Sequence, residues 1–301
     1  MSTPRRILST APSTNQGPFS AADWALFCAI SLIWGASFLL MDIGLEAFRP
    51  GLITLLRVAS GAALLWLLPA ARRPLQRADR PRVVVLSFLW VALPFTIFPL
   101  AQQWVNSALT GMLNGAMPIF AAPVATGLLR RLPRRLQLAG LLLGFLGVAA
   151  IAQSSAAAGG SSAAGVALIL GATLCYGVAV NLAVPLQQRY GSLPVMARML
   201  ALASLWTAPY GLVGLTASAF SWPSLLAVLA AGLLGTGAAY WIMGTLVGRV
   251  GSIRASFITY LIPVVALVLG VLLRGDRVGA VALAGVVLAT AGALLAARRE
   301  R

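Results

Sequence analysis

The stretch PIFAAPVATGLLRRLPRRLQLAGLLLGFLGVAA, residues 118–150, returns in outline as PVVALVLGVLLRGDRVGAVALAGVVLATAGA, residues 263–293. At a shift of 145 residues, Pro118 falls on Pro263, Gly140 on Gly285 and Gly147 on Gly292. The same shift holds upstream, laying Asn114 over Thr259 and Phe95 over Tyr240. A similar shift of 142 lays Trp34-Gly35 over Tyr176-Gly177. The chain is therefore read as two related halves, and that repeat constrains every later assignment.

Composition says what surrounds the halves. Sixty per cent of residues are hydrophobic and 9% are charged, where a soluble domain carries roughly 25% charged. The chain is expected to be an all-α polytopic membrane protein, with too little sequence outside its spans for a second, soluble domain. Ten stretches are long and apolar enough: 24–45, 51–70, 83–102, 108–129, 135–153, 165–187, 195–217, 223–244, 252–273 and 278–297. The resulting organisation is a cytoplasmic tail (1–22), a first five-helix repeat (23–153), a linker (154–164) and a second five-helix repeat with a short C-terminus (165–301). The linker lies in the Gly-, Ser- and Ala-rich run QSSAAAGGSSAAG, residues 153–165, a flexible composition. The first twenty residues are polar and contain arginine, with no apolar core leading to a small-residue cleavage site, so they are not read as a secretory signal.

The net charge of +16 comes from 22 basic residues, all arginine, against six acids. Most of these arginines fall in short runs between apolar stretches and form no basic groove with interleaved aromatics, so no nucleic-acid partner is expected. Their distribution sets topology. With the N-terminus inside, the inner segments hold Arg5 and Arg6, then Arg72, Arg73, Arg77, Arg80 and Arg82, then Arg130, Arg131, Arg134 and Arg135. The inner segments of the second half add Arg189, Arg249, Arg254, Arg298, Arg299 and Arg301, while the outer loops hold only Arg49, Arg274 and Arg277. Both termini are expected to be cytoplasmic and the linker to be outside. Five spans per half then make the two repeats inverted. Inverted repeats are the architecture of transporters that alternate access around a site at the repeat interface, near the bilayer midplane.

Counting inward from the span ends points to the residues at that depth. They are Trp34, Ser37 and Phe38; Trp90 and Phe95; Asn114; Tyr176 and Asn181; Tyr240 and Trp241; and Thr259 and Tyr260. As a group these aromatics could line a pocket for flat or cationic solutes through stacking and cation–π contact. Any one of them could instead be a packing or lipid-facing residue. Asn114 and Thr259 are polar at matched depth and serve either as cavity lining or as interhelical hydrogen-bonding groups. Pro118 and Pro263 each remove a helical hydrogen bond and are expected to be kinks or hinges. Trp104 and Trp222 fall where interfacial belts are found. The small-residue pairs Gly111/Gly115, Gly140/Gly144 and Gly244/Gly248 read as packing within the bundle.

Among the charges within the membrane, Arg57 sits about two turns into the second span, and Asp42 and Glu46 share a face near the outer end of the first. An Asp42–Arg57 pair could clamp those two helices. Alternatively, either residue could meet a substrate carboxylate or amine. Arg198 is expected to snorkel to the inner surface. No acid lies near the midplane, which weakens any reading based on proton coupling through a deep carboxylate; facilitated efflux or coupling through Asp42 remain. Cys28 and Cys175 lie in spans and read as packing residues, with no disulfide framework and no metal spacing. The absence of histidine removes zinc triads and Ser-His-Asp catalysis. No cofactor is expected, no catalytic residue is assigned, and a membrane-embedded enzyme is a remote alternative. A monomer in contact with lipid and a small-molecule substrate is expected.

Three segments carry a resemblance. WGASF (34–38), NSALTGMLNGAMPIFAAPVATGLLRR (106–131) and GRVGSIRASFITYLIPVVALVLGVLLRGDRVGAVALAGVVLATAG (248–292) resemble the EamA family of the drug/metabolite transporter superfamily. In size, tail length and aromatic-rich spans, the chain is similar to the aromatic amino-acid exporters of that superfamily. The resemblance implies a bacterial inner-membrane protein with a central cavity open to one side at a time, exporting amino acids and related metabolites. Efflux of cationic drugs is the alternative within transport. The family's short turn usually carries a Gly-Glu pair; here Arg131 and Asp276 stand in its place.

Overall fold

The computed structural model describes residues 7–15, 17–105, 107–156, 162–274 and 279–297. Phe38 and Pro263 lie in helices, and their side chains fall outside the description, as does the whole of Asp276. Among the described residues there is no strand. The described residues form ten helical rods: α1 (Ala21–Leu45), α2 (Pro50–Trp66), α3 (Arg77–Ala101), α4 (Ser107–Asn114 and Met117–Leu129), α5 (Arg135–Ala156), α6 (Ala163–Tyr190), α7 (Ser192–Thr216), α8 (Trp222–Val250), α9 (Ser252–Ser256 and Ile258–Arg274) and α10 (Ala280–Ala297).

Local chemistry sets the ends. Ser20 and Asp23 form a reciprocal capping box at the start of α1, which satisfies donors left open by the first turn. Pro50 opens α2, where its missing N–H costs nothing. Single glycines join α6 to α7 and α8 to α9. Gly191 and Gly251 have φ of 75° and 82°, a region L side chains rarely adopt.

Five rods (α1, α3, α6, α7 and α8) are long and apolar enough to cross a membrane, since 25 residues reach about 37 Å against a hydrocarbon core of about 30 Å. The outward faces are apolar: Leu142, Leu205, Leu212, Val213, Leu226, Leu283 and Val287 are exposed. Polar Asn181, Thr173, Thr236 and Ser256 are buried. Such an apolar exterior suits lipid. The protein is a multi-pass membrane protein.

Two rods differ from the uninterrupted spans expected at 108–129 and 252–273. The first is divided at residues 115–116, with Pro118 in the first turn of its second segment. A proline there suits a helix start and cannot bond the carbonyl of Asn114, four residues earlier. The second is divided at Phe257, six residues ahead of Pro263. Elsewhere α3 and α8 each contain a six-residue π segment, Ser87–Ala92 and Leu233–Ala238.

The contacts between rods repeat with the sequence. A Cβ on Gly35 of α1 would strike Val265 and Ile262 of α9, and one on Gly177 of α6 would strike Phe120 and Ala121 of α4. Positions 120 and 265 are the shift of 145 apart. Likewise Gly147 of α5 lies against Gly285 and Ala289 of α10, while Gly292 of α10 lies against Gly140 and Gly144 of α5. As one index rises the other falls, so α5 and α10 run antiparallel with backbones too close for any side chain between them.

Candidate functional site

A cavity opens in the middle of the bundle, about 650 Å³ of unfilled space with its mouth included, lined by residues of α1, α2, α3, α4, α6 and α8. Trp34, Ser37, Trp90, Phe95, Asn114, Tyr176 and Tyr240 line it, and so does Arg57. It extends to Met41, Ile53, Phe98 and Pro99, toward the end of the bundle that holds Leu45, Pro50 and Ala101. On α8 beyond Tyr240, Met243, Leu246 and Val247 are fully buried.

The aromatic wall is centred on Tyr240. Its ring lies 5.9 Å from Trp34, 5.7 Å from Trp90 and 5.8 Å from Phe95, in edge or tilted contacts that ring quadrupoles favour. Phe98 and Tyr176 stack at 5.7 Å. The π segments hold this wall in place. The Tyr240 hydroxyl donates to the carbonyl of Trp90 at 2.7 Å, and the Trp34 indole N–H donates to the carbonyl of Gly235 at 2.9 Å. π segments interrupt the α-helical ladder and recur at functional sites.

Arg57 is 9% exposed. Its Nε donates to Thr236 Oγ1 at 3.1 Å, Nη1 lies 3.6 Å from Met41 Sδ, and the guanidinium carbon sits 4.6 Å above the Phe95 ring. Backbone proximity puts it there: a Cβ on Gly61 would approach the Gly232 carbonyl and the Gly237 nitrogen to 2.9 Å, so α2 lies directly on the π segment of α8. Among the described residues no carboxylate pairs with Arg57. The expected Asp42–Arg57 pair is not formed; Asp42 accepts from Gln102 Nε2 at 2.9 Å instead. Asn114 brings the second polar group of interest, since its Oδ1 is buried without a hydrogen-bond partner among the described residues. Isolated buried acceptors of this kind are uncommon and call for a partner.

Other mid-depth residues are placed elsewhere. Asn181 donates to the carbonyls of Ala121 and Gly177 and accepts from Ser252 Oγ at 2.6 Å, which ties α6 to α4 and α9. Thr259 donates to the Ser256 carbonyl. Tyr260 donates to the Leu141 carbonyl at 2.9 Å and packs over Gly144. Trp241 is 43% exposed on the outer face. None of these four lines the cavity. Sequence counting missed Thr236, Met41, Thr54 and Phe98. Of these, Phe98 was within reach, one turn beyond Phe95, and Thr236 was flanked by glycines in a Gly-Thr-Gly run that permits close helix approach.

The family model of EamA-like transporters matches the chain twice, over residues 23–153 and 163–298. The chain belongs to the EamA-like transporter family. This EamA-like protein is built on two copies of the family's unit. An uncharacterized transporter of Archaeoglobus fulgidus is 21% identical over 62% of this chain, and one of Buchnera aphidicola is 23% identical over 40%. Protein PagO of Salmonella typhimurium is 27% identical over 39%. The matches take in 66%, 41% and 40% of those relatives' lengths, so the chain spans less than two thirds of each. A crystal structure of a protein 18% identical superposes with a TM-score of 0.73, covering 92% of this chain and 97% of that one; the likeness is one of fold.

Proposed function

We propose that this EamA-like protein exports amino acids, aromatic ones included, and related carboxylate-bearing metabolites across the bacterial inner membrane by alternating access. The observation that carries the reading is Arg57: a buried cation with no carboxylate partner among the described residues, facing an aromatic cavity. Buried charge in a membrane is expensive and is retained where a ligand or partner offsets it. A guanidinium is built to take a carboxylate through two parallel N–H bonds. The rings around Tyr240 suit a flat side chain, and the free Asn114 oxygen suits an ammonium group. Organic cations, the alternative cargo, would meet Arg57 with like charge and no acid among the lining residues.

In this reading the ten rods are ten spans in two inverted five-helix repeats, with both termini cytoplasmic and the cavity open outward. The antiparallel α5–α10 contact and the matched contacts of Gly35 and Gly177 support the inversion, and the arginine distribution supports the orientation. Pro118 and Pro263 are the proposed flexure points, and the protein works as a monomer. The test is uptake of a labelled amino-acid panel and of organic cations by proteoliposomes, with and without a pH gradient. Saturable amino-acid uptake without a gradient is expected. Transport of cations alone would overturn the reading.

A further inference from the structure

A second hollow lies on the flank of the bundle, between the start of α3, α7 and the α2–α3 connection, with about 1150 Å³ of unfilled space, mouth included. Val84, Leu202 and Leu205 form its apolar wall, and Arg80 and Arg198 stand in it. Leu205 is 70% exposed and Val84 39%, so the wall opens sideways along two rods long and apolar enough to cross the membrane. The hollow therefore faces hydrocarbon below and headgroups above.

Its charge is one-sided. Arg198 lies 5.5 Å over the Trp66 ring and donates to the carbonyls of Ala71 at 2.8 Å, Pro194 at 3.0 Å and Arg72 at 3.3 Å. Arg80 shares the hollow, and no acid lines it. The acid next to Arg80 in sequence is turned away: Asp79 accepts from Arg189 Nη1 at 2.7 Å and from the Tyr190 hydroxyl at 2.5 Å. Two cations at the head of an apolar furrow match an anionic headgroup with an acyl chain beneath it. A soluble anion would leave the furrow unused, and a zwitterionic lipid would leave the charge unmatched.

We propose that this hollow binds one anionic phospholipid, its phosphate between Arg80 and Arg198 and an acyl chain along Val84, Leu202 and Leu205. Under the positive-inside orientation it lies in the cytoplasmic leaflet, where anionic lipid and juxtamembrane arginines meet.

Native mass spectrometry of the full-length protein, purified from vesicles of equimolar phosphatidylglycerol and phosphatidylcholine, tests this. One phosphatidylglycerol retained in preference to phosphatidylcholine is the expected result. Arg80→Gln should weaken that retention about fivefold, the worth of one arginine near an anionic surface. Val84→Trp, which fills the furrow and leaves both charges, should weaken it as well; its exposed position spares the fold, and a thermal melt checks this. Equal retention of the two lipids, or retention unchanged in both variants, would overturn the proposal. So would displacement of the lipid by millimolar glycerol phosphate, which would mark a site for free anions only.

Discussion

Tyr240 donates its phenolic hydrogen to the main-chain carbonyl of Trp90, 2.7 Å away in the other half of the chain. The reciprocal half makes a corresponding bond, from the Trp34 indole to the carbonyl of Gly235. Residues 90 and 235 stand 145 apart, the shift of the sequence repeat, and both lie in π segments. Each half thus offers an irregular stretch of backbone that an aromatic side chain of the opposite half takes up. The two bonds fix the cavity wall across the interface between halves, which is where the proposed alternating access would require movement.

Tyr240→Phe keeps the ring and removes the donor. The buried Trp90 carbonyl then loses its side-chain partner, at a cost of about 1–3 kcal/mol. A lower thermal midpoint of the detergent-solubilised protein is expected. An unchanged midpoint would mean that the bond contributes nothing to holding the halves.

Arg57→Gln separates a substrate role from a structural one. Losing a charge-assisted contact should raise the KM for amino acids roughly 10- to 100-fold, while removing an unpaired buried cation should leave the melting temperature level or higher. Arg57→Lys keeps the charge without the planar fork and should fall between. Proteoliposome kinetics beside a thermal melt read both; a collapse in stability with unchanged KM would assign Arg57 to packing.

Gly147→Val and Gly292→Val should behave alike. Each forces a side chain between the backbones of α5 and α10, and overpacking costs about 1–3 kcal/mol or more. Comparable losses of thermal stability are expected from the two. A large cost for one and none for the other would break the equivalence of the halves.

Asn181→Leu removes a side chain that bonds Ala121, Gly177 and Ser252 and does not line the cavity. It should lower stability by about 1–3 kcal/mol through the groups left unpaired, with the substrate panel unchanged. An altered panel would draw Asn181 into recognition.

Orientation has a direct check. Arg131 and Ala219 are both exposed on connections between rods. In a background without Cys28 and Cys175, a membrane-impermeant maleimide should label Ala219→Cys in intact cells and Arg131→Cys only after permeabilisation. The opposite pattern would invert the topology.

Much of this was legible in the residues. Trp34-Gly35 and Tyr176-Gly177 align by their type alone, and the structure sets both glycines against the equivalent helices. Trp34, Trp90, Phe95, Tyr176 and Tyr240 were found by depth. Tyr240 and Trp241 show where counting stops: they are neighbours at one depth, and one is buried in the cavity wall while the other faces outward. Adjacent side chains on a helix point about 100° apart, and a rod apolar on all sides carries no stripe to say which faces inward. The π segments compound this, because each inserted residue rotates the rest of its rod.

The sequence by itself determined that the chain is helical and membrane-embedded, that it consists of two related halves, and which small residues and aromatics hold matching positions. Those properties come from composition and spacing, which act one segment at a time. The tertiary structure alone decided that Arg57 meets Thr236 rather than Asp42, that Asn181 and Tyr260 serve packing, and that two π segments bind the cavity wall. These depend on the rotation of each rod about its axis, and in an all-apolar bundle that rotation is set by close backbone approach at residues such as Gly61 and Gly237 and by the hydrogen bonds that approach permits.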